Sequence, residues 1–459
     1  MSRDVNRTWV DSTGCVFNEH GVDPDWEKKA KDVYDAAVSR DPGQLRSLEK
    51  ACLIRGYSEY YDNGGTPLIK CICSFKFQGI HMRPILFEMV QILLENGANP
   101  FTGKTRHGGV LCIATATGDI DLIRFILSNV FMNMDSVKAW QPDDFETKSS
   151  RIEKKNDFVN QKDGDGENPL FIAIHEFGRY NVDSTEIVDL LIENGADVNA
   201  VNWIKQTPLF LCQSQIYSDI IDLLIDNGAN VNAIDKAGET PLFHLVLCLP
   251  VIEQLFHRGA HVNVRNWCGQ TPLHAAKRYH SIIQFLVSNG ADIEAADNKE
   301  QTPIHKAVQC FNFEGVMVLF EADANLFTVD EYGRSLLHSA VMSEPMTRFL
   351  IENGANVNAV DNDGETPLYL AALSDTLPSA MLLWEQGADL YKKDHYGDSA
   401  YDLCILNLDN PVNAVVKADE HLRRNEAFAM GSHSRLGAGS KVSVLKEDLL
   451  KIIIEQENK

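Results

Sequence analysis

The sequence predicts an all-α solenoid, in which pairs of short helices stack repeat upon repeat. The first observation is a Thr-Pro-Leu motif that recurs along the chain, at Thr207, Thr240, Thr271 and Thr366, with Thr-Pro-Ile at Thr302. The second is a Gly-Ala-Asp or Gly-Ala-Asn motif that comes after a run of apolar residues in most cycles. A period of roughly 31 to 33 residues is typical of a solenoid, in which each repeat buries its apolar face against its neighbours.

The stretch from Thr271 to Gly290 illustrates how one cycle is expected to fold. Thr271 can cap the first helix, and Pro272 occupies the first helical position, where a missing N–H costs no hydrogen bond. Residues at helical spacing then supply the buried face of the second helix: Ile282, Ile283, Phe285 and Leu286. Gly290 can take the left-handed conformation that other residues avoid, so the helix ends there and a hairpin follows.

These motifs resemble the ankyrin repeat, and the resemblance covers most of the chain. It implies an all-α ankyrin-repeat solenoid with protruding β-hairpin loops, and a function in protein binding. We count about eleven helix pairs, ten of them with a recognisable opening. In the family, the His of Thr-Pro-Leu-His bonds the Thr hydroxyl and nearby backbone. His274, His305 and His338 are therefore predicted to be structural.

Five segments are predicted along the chain. Residues 1–27 form an irregular lead-in, and residues 28–130 form the N-terminal repeats, which begin with a charged terminal pair. Residues 131–160 form a polar insertion loop without periodicity. Residues 161–418 form the regular repeats, and residues 419–459 form a helical tail in which the acidic excess of the array is lost.

Composition excludes several functions. A formal net charge of −23 argues against nucleic-acid binding, because phosphate contacts need clustered Lys and Arg, and it favours a basic or neutral partner. No apolar run approaches the roughly 18 residues of a membrane span. The ten cysteines are scattered, which indicates free thiols. No secretory signal is recognisable near Met1, so a cytoplasmic or nuclear location is expected, in the host cell if the protein is viral.

No catalytic, metal or cofactor site is predicted. Two Asp-rich turns resemble the start of a calcium loop, but its twelfth position holds Ile172 or Leu370 in place of the bidentate Glu. His175 is followed four residues later by Arg179 instead of the second His of a zinc protease motif. A phosphate-binding Gly-rich loop and a nucleophile elbow are likewise absent from the sequence. The sequence therefore favours a binding protein over an enzyme.

The candidate partner-binding residues are aromatic. In ankyrin arrays, the hairpin tips and the first helices line the concave face. Alignment on the openings places four aromatic residues at or beside the tips of every second repeat: Trp203, Trp267, Tyr332 and Tyr396. Trp and Tyr are enriched in interface hot spots, so we expect a row of anchors. The alternative is that some of these rings only pack on a neighbouring hairpin.

A second set of candidate residues consists of asparagines that follow a valine after the Gly-Ala motif. These are Asn199, Asn232, Asn263 and Asn358, each with a Leu eight residues earlier. In the family such asparagines hydrogen-bond within the hairpin, and in some members they resemble targets of an asparaginyl hydroxylase. Both roles are considered, with the structural one favoured.

The tail carries a strongly apolar predicted helix over residues 445–454. Its candidate docking residues are Leu445, Leu449, Leu450 and Ile453, which must bury against some surface. The tail resembles the ends of ankyrin proteins from large DNA viruses and algae, and its core is similar to the start of an F-box. In that family the F-box docks on the adaptor subunit of a cullin-type ubiquitin ligase.

Two functions follow from these patterns. The first is a plain protein-interaction scaffold whose tail caps the last repeat. The second is a substrate receptor that brings its bound partner to a ubiquitin ligase. The two differ in whether the apolar face of the tail helix packs on the repeats or faces outward.

Overall fold

The computed structural model describes residues 83–95, 108–133, 155–180, 184–406 and 411–430, together with a few residues before 83. The chain divides into two compact units, Met1–Lys236 and Ala237–Lys459. The structure confirms the predicted fold class, since both units are built from paired short helices.

Among its described residues, the first unit has one small sheet and five longer α-helices before its last pair. The sheet is an antiparallel hairpin of Trp9–Val10 and Val16–Phe17, within the predicted lead-in. The helices are Arg83–Glu95, Val110–Ala116, Ile120–Asn133, Pro169–Tyr180 and Ser184–Glu193. Residues 155–159 are also helical, and Phe158 and Val159 are fully buried. The end of the predicted insertion is therefore already packed into the unit.

The last pair of the first unit departs from regular helix geometry. Its opening helix is a 3-10 turn, Pro208–Leu211, followed by a second one, Gln215–Tyr217, and by the α-helix Ser218–Asp226. Phe210 stands here where the Thr271, Thr302 and Ser335 repeats have His. The hydroxyl of Thr207 is buried without a hydrogen-bond partner among the described residues, as is that of Thr240, whose repeat has Phe243 at the same position.

The second unit consists of six helix pairs among its described residues. They are Pro241–His244 with Leu249–His257, Pro272–Ala275 with His280–Ser288, Pro303–Gln309 with Phe313–Glu321, Leu336–Ala340 with Glu344–Glu352, Pro367–Leu373 with Leu377–Glu385, and Ala400–Leu406 with Asn413–Met430. The last helix runs without a break through Ala418, where the sequence suggested that the repeats end.

The Thr271 repeat shows why the elements begin and end where they do. Thr271 has extended backbone angles and precedes Pro272, the first helical residue. Leu273, Ala276 and Leu286 are buried between the helices and form the core that each repeat shares with its neighbours. Among the described residues, no helix is long and apolar enough to cross a membrane.

Candidate protein-binding surface

The hairpin tips of the second unit are joined into a ladder by backbone hydrogen bonds. In each step, one N–H of a tip donates to a carbonyl of the preceding tip, at 2.8–3.0 Å. The pairs are Trp267 to Ala237, Asn298 to Cys268, Glu331 to Lys299, Asn362 to Tyr332, and His395 to Asp363. This regular pairing holds the tips in a fixed order, so that side chains on them keep a defined spacing.

The two tryptophans and the two tyrosines occupy different positions within their tips. Trp267 is the donating residue of its tip, and a Cβ on Gly238 of the preceding tip would lie 2.8 Å from its Cδ2 atom. Its ring therefore lies across the glycine turn. In the first unit, Trp203 lies across Gly166 in the same way, and its N–H donates to the Asp165 carbonyl at 3.2 Å.

Each tyrosine stands one position after the residue whose N–H donates to the preceding tip. Tyr332 accepts from Asn362, and Tyr396 follows the donating residue of its own tip. The exposed fractions of the four aromatic side chains are 67% for Trp203, 64% for Trp267, 50% for Tyr332 and 79% for Tyr396. The tryptophans thus touch a neighbouring turn and still present most of their surface. The assignment of all four as partner anchors stays a prediction.

A cluster of buried polar side chains lies at the base of the hairpin tips. The ammonium of Lys306 lies 2.9 Å from Asp297 Oδ2, with only 11% and 2% of the two side chains exposed. Lys306 also bonds Gln301, which donates to Asp330 Oδ2 at 3.1 Å. Burial alone would raise the pKa of Asp297, but bonds from Lys306 and backbone N–H groups outweigh it, and the pKa is lowered. The Gln270 side chain of the preceding tip donates to the same Asp297 oxygen at 3.2 Å, so polar contacts tie the bases of three successive tips.

The histidines of the openings are buried within the array. The backbone N–H of Thr271 donates to His274 Nδ1 at 3.1 Å, so Nε2 carries the proton and donates to the Gln301 carbonyl at 3.0 Å. His338 makes the same pair of bonds with Ser335 and Glu365. Burial lowers the pKa of both imidazoles, in competition with the carbonyl bonds. This arrangement agrees with the structural role predicted for them.

His305 differs from its equivalents. Thr302 N–H donates to its Nδ1 at 3.2 Å, but its buried Nε2 has no hydrogen-bond partner among the described residues. Burial lowers the pKa of His305 to about 4. The ring is therefore neutral in the folded protein at neutral pH.

The asparagines after Gly-Ala bridge neighbouring repeats. The Asn263 side chain donates to the Gly290 carbonyl at 2.9 Å and accepts from Asp292 N–H at 2.8 Å. The same two-way bridge is made by Asn199 with Gly228 and Asn230, and by Asn358 with Gly387 and Asp389. The backbone of Asn232 bonds Asn230 Oδ1 at 3.0 Å. Modification of these residues stays a prediction.

Sequence reasoning missed one member of this set. Asn160 donates to the Gly195 carbonyl at 2.9 Å and accepts from Asp197 N–H at 2.7 Å. The signal was present, because Asn160 also follows a valine. Glu294 fills the equivalent place in another repeat, where its carboxylate accepts from Asn325 N–H at 2.7 Å.

Comparison with known proteins agrees with this geometry. A family model described as ankyrin repeats in three copies matches residues 133–235, 180–266, 248–330 and 322–394, together more than half of the chain. The chain belongs to the ankyrin-repeat family. The predicted resemblance is thereby confirmed, and ankyrin repeats imply interaction with other proteins. Ankyrin repeats are typically non-enzymatic.

Two curated relatives share parts of the array. An ankyrin repeat and LEM domain-containing protein 1 homolog from Caenorhabditis elegans is 45% identical over 69 residues, which is 15% of this chain and 10% of the relative. A putative ankyrin repeat protein from Rickettsia bellii is 33% identical over 92 residues, which is 19% of this chain and 51% of the relative. This ankyrin chain thus spans a tenth of one relative and about half of the other.

The predicted tail docking residues, Leu445, Leu449, Leu450 and Ile453, lie outside the described residues. The structure does describe the helix that precedes them. Its Asp419 accepts hydrogen bonds from Trp384 Nε1 at 3.1 Å, from the Tyr391 hydroxyl at 2.9 Å and from Arg423 Nε at 2.7 Å. Asp419 therefore fastens this helix to the preceding repeat just after the predicted boundary.

Proposed function

We propose that this ankyrin protein is a non-enzymatic scaffold that binds a partner protein on its hairpin tips and on the concave face lined by its first helices. The observation that supports the proposal is the set of large aromatic side chains exposed at alternate tips of the hydrogen-bonded ladder. Large exposed aromatic groups in a regular row are unusual on a surface that binds nothing.

The position of these side chains suits tight recognition. An aromatic ring supplies a large contact area while few torsions have to be fixed on binding. Trp267 is further restricted by Gly238 beneath its ring, which lowers the entropy lost when a partner covers it. The net charge of −23 favours a partner whose contacting surface is neutral or basic.

A photo-crosslinking experiment tests the proposal. A benzoylphenylalanine is placed at Tyr332, at Tyr396 or, as a control, at Gln284 on the exposed side of a second helix. Partner proteins that crosslink from the tips and not from Gln284 are purified, and their affinities are measured. If the same proteins crosslink equally from all three positions, the tips are not the binding surface.

The matching variant carries Tyr332→Ala with Tyr396→Ala. We expect the affinity for a tip-crosslinked partner to fall at least about tenfold, because hot-spot residues carry most of the binding energy. The free energy of unfolding should change by less than about 1 kcal/mol, since both rings are exposed. Full affinity in this variant would contradict the proposal, and Gln284→Ala serves as the neutral control.

The alternative, recruitment of a bound protein to a cullin-type ubiquitin ligase, stays a prediction from the sequence of the tail. Its test compares the full chain with a chain carrying Leu449→Asp and Leu450→Asp. Specific recovery of the ligase adaptor by the parent and not by the variant would support it. Recovery by neither chain would leave the scaffold as the function.

A further inference from the structure

A second row of exposed apolar side chains lies at the loops that join the two helices of each repeat. It consists of Leu247, Tyr279, Phe311, Met342 and Leu373, one in each of five consecutive repeats of the second unit. Each stands between the two helices of its repeat or at the last residue of the first one, and 38% to 59% of its surface is exposed. We call these five residues the interhelix row. No prediction from the sequence included it.

The repeats that carry the row are packed against one another, and the rings of Phe256 and Phe285 join the first two at 5.6 Å. The Asn312 side chain, next to Phe311, donates to the Lys277 carbonyl at 3.0 Å in the loop that holds Tyr279. The rings of Phe313 and Phe349 meet at 5.6 Å, and this joins the following two repeats. One repeat further, Thr347 Oγ1 lies 3.4 Å from Ser379 Oγ. Adjacent members of the row are therefore on neighbouring, directly packed repeats.

The spacing of the row fits an extended polypeptide. Packed helices lie roughly 8 to 10 Å apart, and a polyproline-type chain advances about 3.1 Å per residue and returns to the same face every three residues. Every third side chain of such a segment would meet one member of the row. A helix would instead present an apolar stripe at least about 100° wide, whereas the row is one residue wide between polar neighbours such as Gln309 and Ser374.

The charges of the side chains beside the row change along its length. Exposed Arg278 and the neighbouring Lys277 flank Tyr279. Exposed Glu314 follows Phe311, and exposed Asp375 lies two residues after Leu373. The Glu344 carboxylate beside Met342 is paired with Arg348 Nε at 2.9 Å, so it adds little net charge. The side chains beside the row are therefore basic at Tyr279 and acidic at Phe311 and Leu373.

We propose that the interhelix row binds an extended segment of a partner protein that carries an apolar side chain at every third position. Charge complementarity sets its orientation, with an acidic residue of the segment at Arg278 and a basic residue at Asp375. This surface is formed by different residues from the aromatic tips, so the inference does not depend on the function proposed for the tips.

A synthetic peptide tests the inference on the full chain. The fluorescein-labelled peptide has leucine at every third position between prolines and serines, with glutamate at one end and lysine at the other. Both charge orders are made, and a control peptide of equal composition has leucine at every second position. We expect saturable binding, read by fluorescence anisotropy, for one charge order and at least about tenfold weaker binding of the control.

Variants then locate the binding site. Phe311→Ser with Met342→Ser should weaken binding at least about tenfold, whereas Trp267→Ala should leave it unchanged. Arg278→Glu with Asp375→Lys should reverse the preferred charge order. If the first variant unfolds at a lower temperature than the parent, Leu247→Ser with Leu373→Ser replaces it.

Several results would overturn the inference. They are equal binding of the control peptide, no binding by the intact chain, and a loss of binding with Trp267→Ala in place of the row variant. Binding that appears only after residues 431–459 are removed would show that the chain's own tail occupies the row. A dimer that Phe311→Ser with Met342→Ser converts to a monomer would show that a second copy does.

Discussion

At the scale of single residues, two glycines reveal which contacts depend on the absence of a side chain. Gly238 and Gly290 both have positive φ angles, +78° and +82°. A Cβ on Gly238 would meet the Trp267 ring, whereas a Cβ on Gly290 would have nothing within 4 Å. The two positions therefore separate the cost of backbone strain from the cost of a blocked ring contact.

Gly290→Ala should lower the free energy of unfolding by about 1 to 2 kcal/mol, the cost of a left-handed L-residue. Gly238→Ala should cost more, because the Trp267 ring must also move. Urea unfolding of both variants, with and without Trp267→Ala, measures the difference. If the extra cost of Gly238→Ala persists without the Trp267 ring, the ring contact is not its cause.

The buried imidazole of His305 makes stability depend on pH. Its pKa is about 4 in the folded protein and about 6.5 in the unfolded chain, so only the unfolded chain takes up a proton between these values. The stability that the neutral His305 ring gives the folded protein is therefore complete above pH 6.5. It is lost as the pH falls toward 4.

Between pH 7 and pH 4 the parent should lose about 3 kcal/mol of unfolding free energy through His305, which is the difference between its two pKa values converted to free energy. His305→Gln should lack this loss. Urea unfolding at a series of pH values measures this slope. The control is His280→Gln, at an exposed histidine. Equal slopes for the parent and for His305→Gln would show that another group titrates.

At the scale of elements, the carboxylate of Asp419 joins the last helix to the repeat before it. Burial would raise the pKa of Asp419, but hydrogen bonds from Trp384, Arg423 and Tyr391 outweigh it, and the pKa is lowered. The Arg423 guanidinium also lies 4.3 Å from the Tyr391 ring centre. Asp419 thus joins the Asn413–Met430 helix to the repeat before it.

Asp419→Ala should loosen the last two helix pairs and lower the free energy of unfolding by about 2 to 3 kcal/mol, because buried donors lose their acceptor. Hydrogen exchange in Leu377–Glu385 and in Asn413–Met430 measures the effect. Glu420→Ala is the matched control, since its bonds to Tyr401 and Arg424 are more exposed. Equal exchange in the two variants would rule out Asp419 as the fastening residue.

At the scale of the whole molecule, stability should be close to a sum of repeat and neighbour terms. Leu286 is fully buried in the Thr271 repeat. Leu286→Ala should cost about 2 to 5 kcal/mol and raise hydrogen exchange most in the Thr240, Thr271 and Thr302 repeats. Exchange in Pro169–Tyr180 should stay at the parental rate. A uniform rise along the chain would instead indicate one cooperative unit.

Much of the fold was predictable from local chemistry. Thr271, Pro272 and Gly290 fix where helices begin and end through backbone geometry alone, and periodic apolar residues fix the buried face. The 3-10 opening after Thr207 was not predicted, because the same Thr-Pro-Leu-Phe sequence opens the α-helix Pro241–His244. The tip aromatics were placed by counting from the openings, but counting could not show that the tryptophan rings lie across the preceding glycine turn.

The sequence by itself determined the helix pairs, the turns and the family, because capping, proline geometry and left-handed glycines act within a few residues of the chain. Only the tertiary structure decided which side chains stay exposed after neighbouring repeats pack. It placed Trp267 over Gly238, fastened the last helix through Asp419, and left the interhelix row uncovered by the described residues. These features join residues about thirty positions apart, so no local pattern carries them, and they arise only when one repeat is stacked on the next.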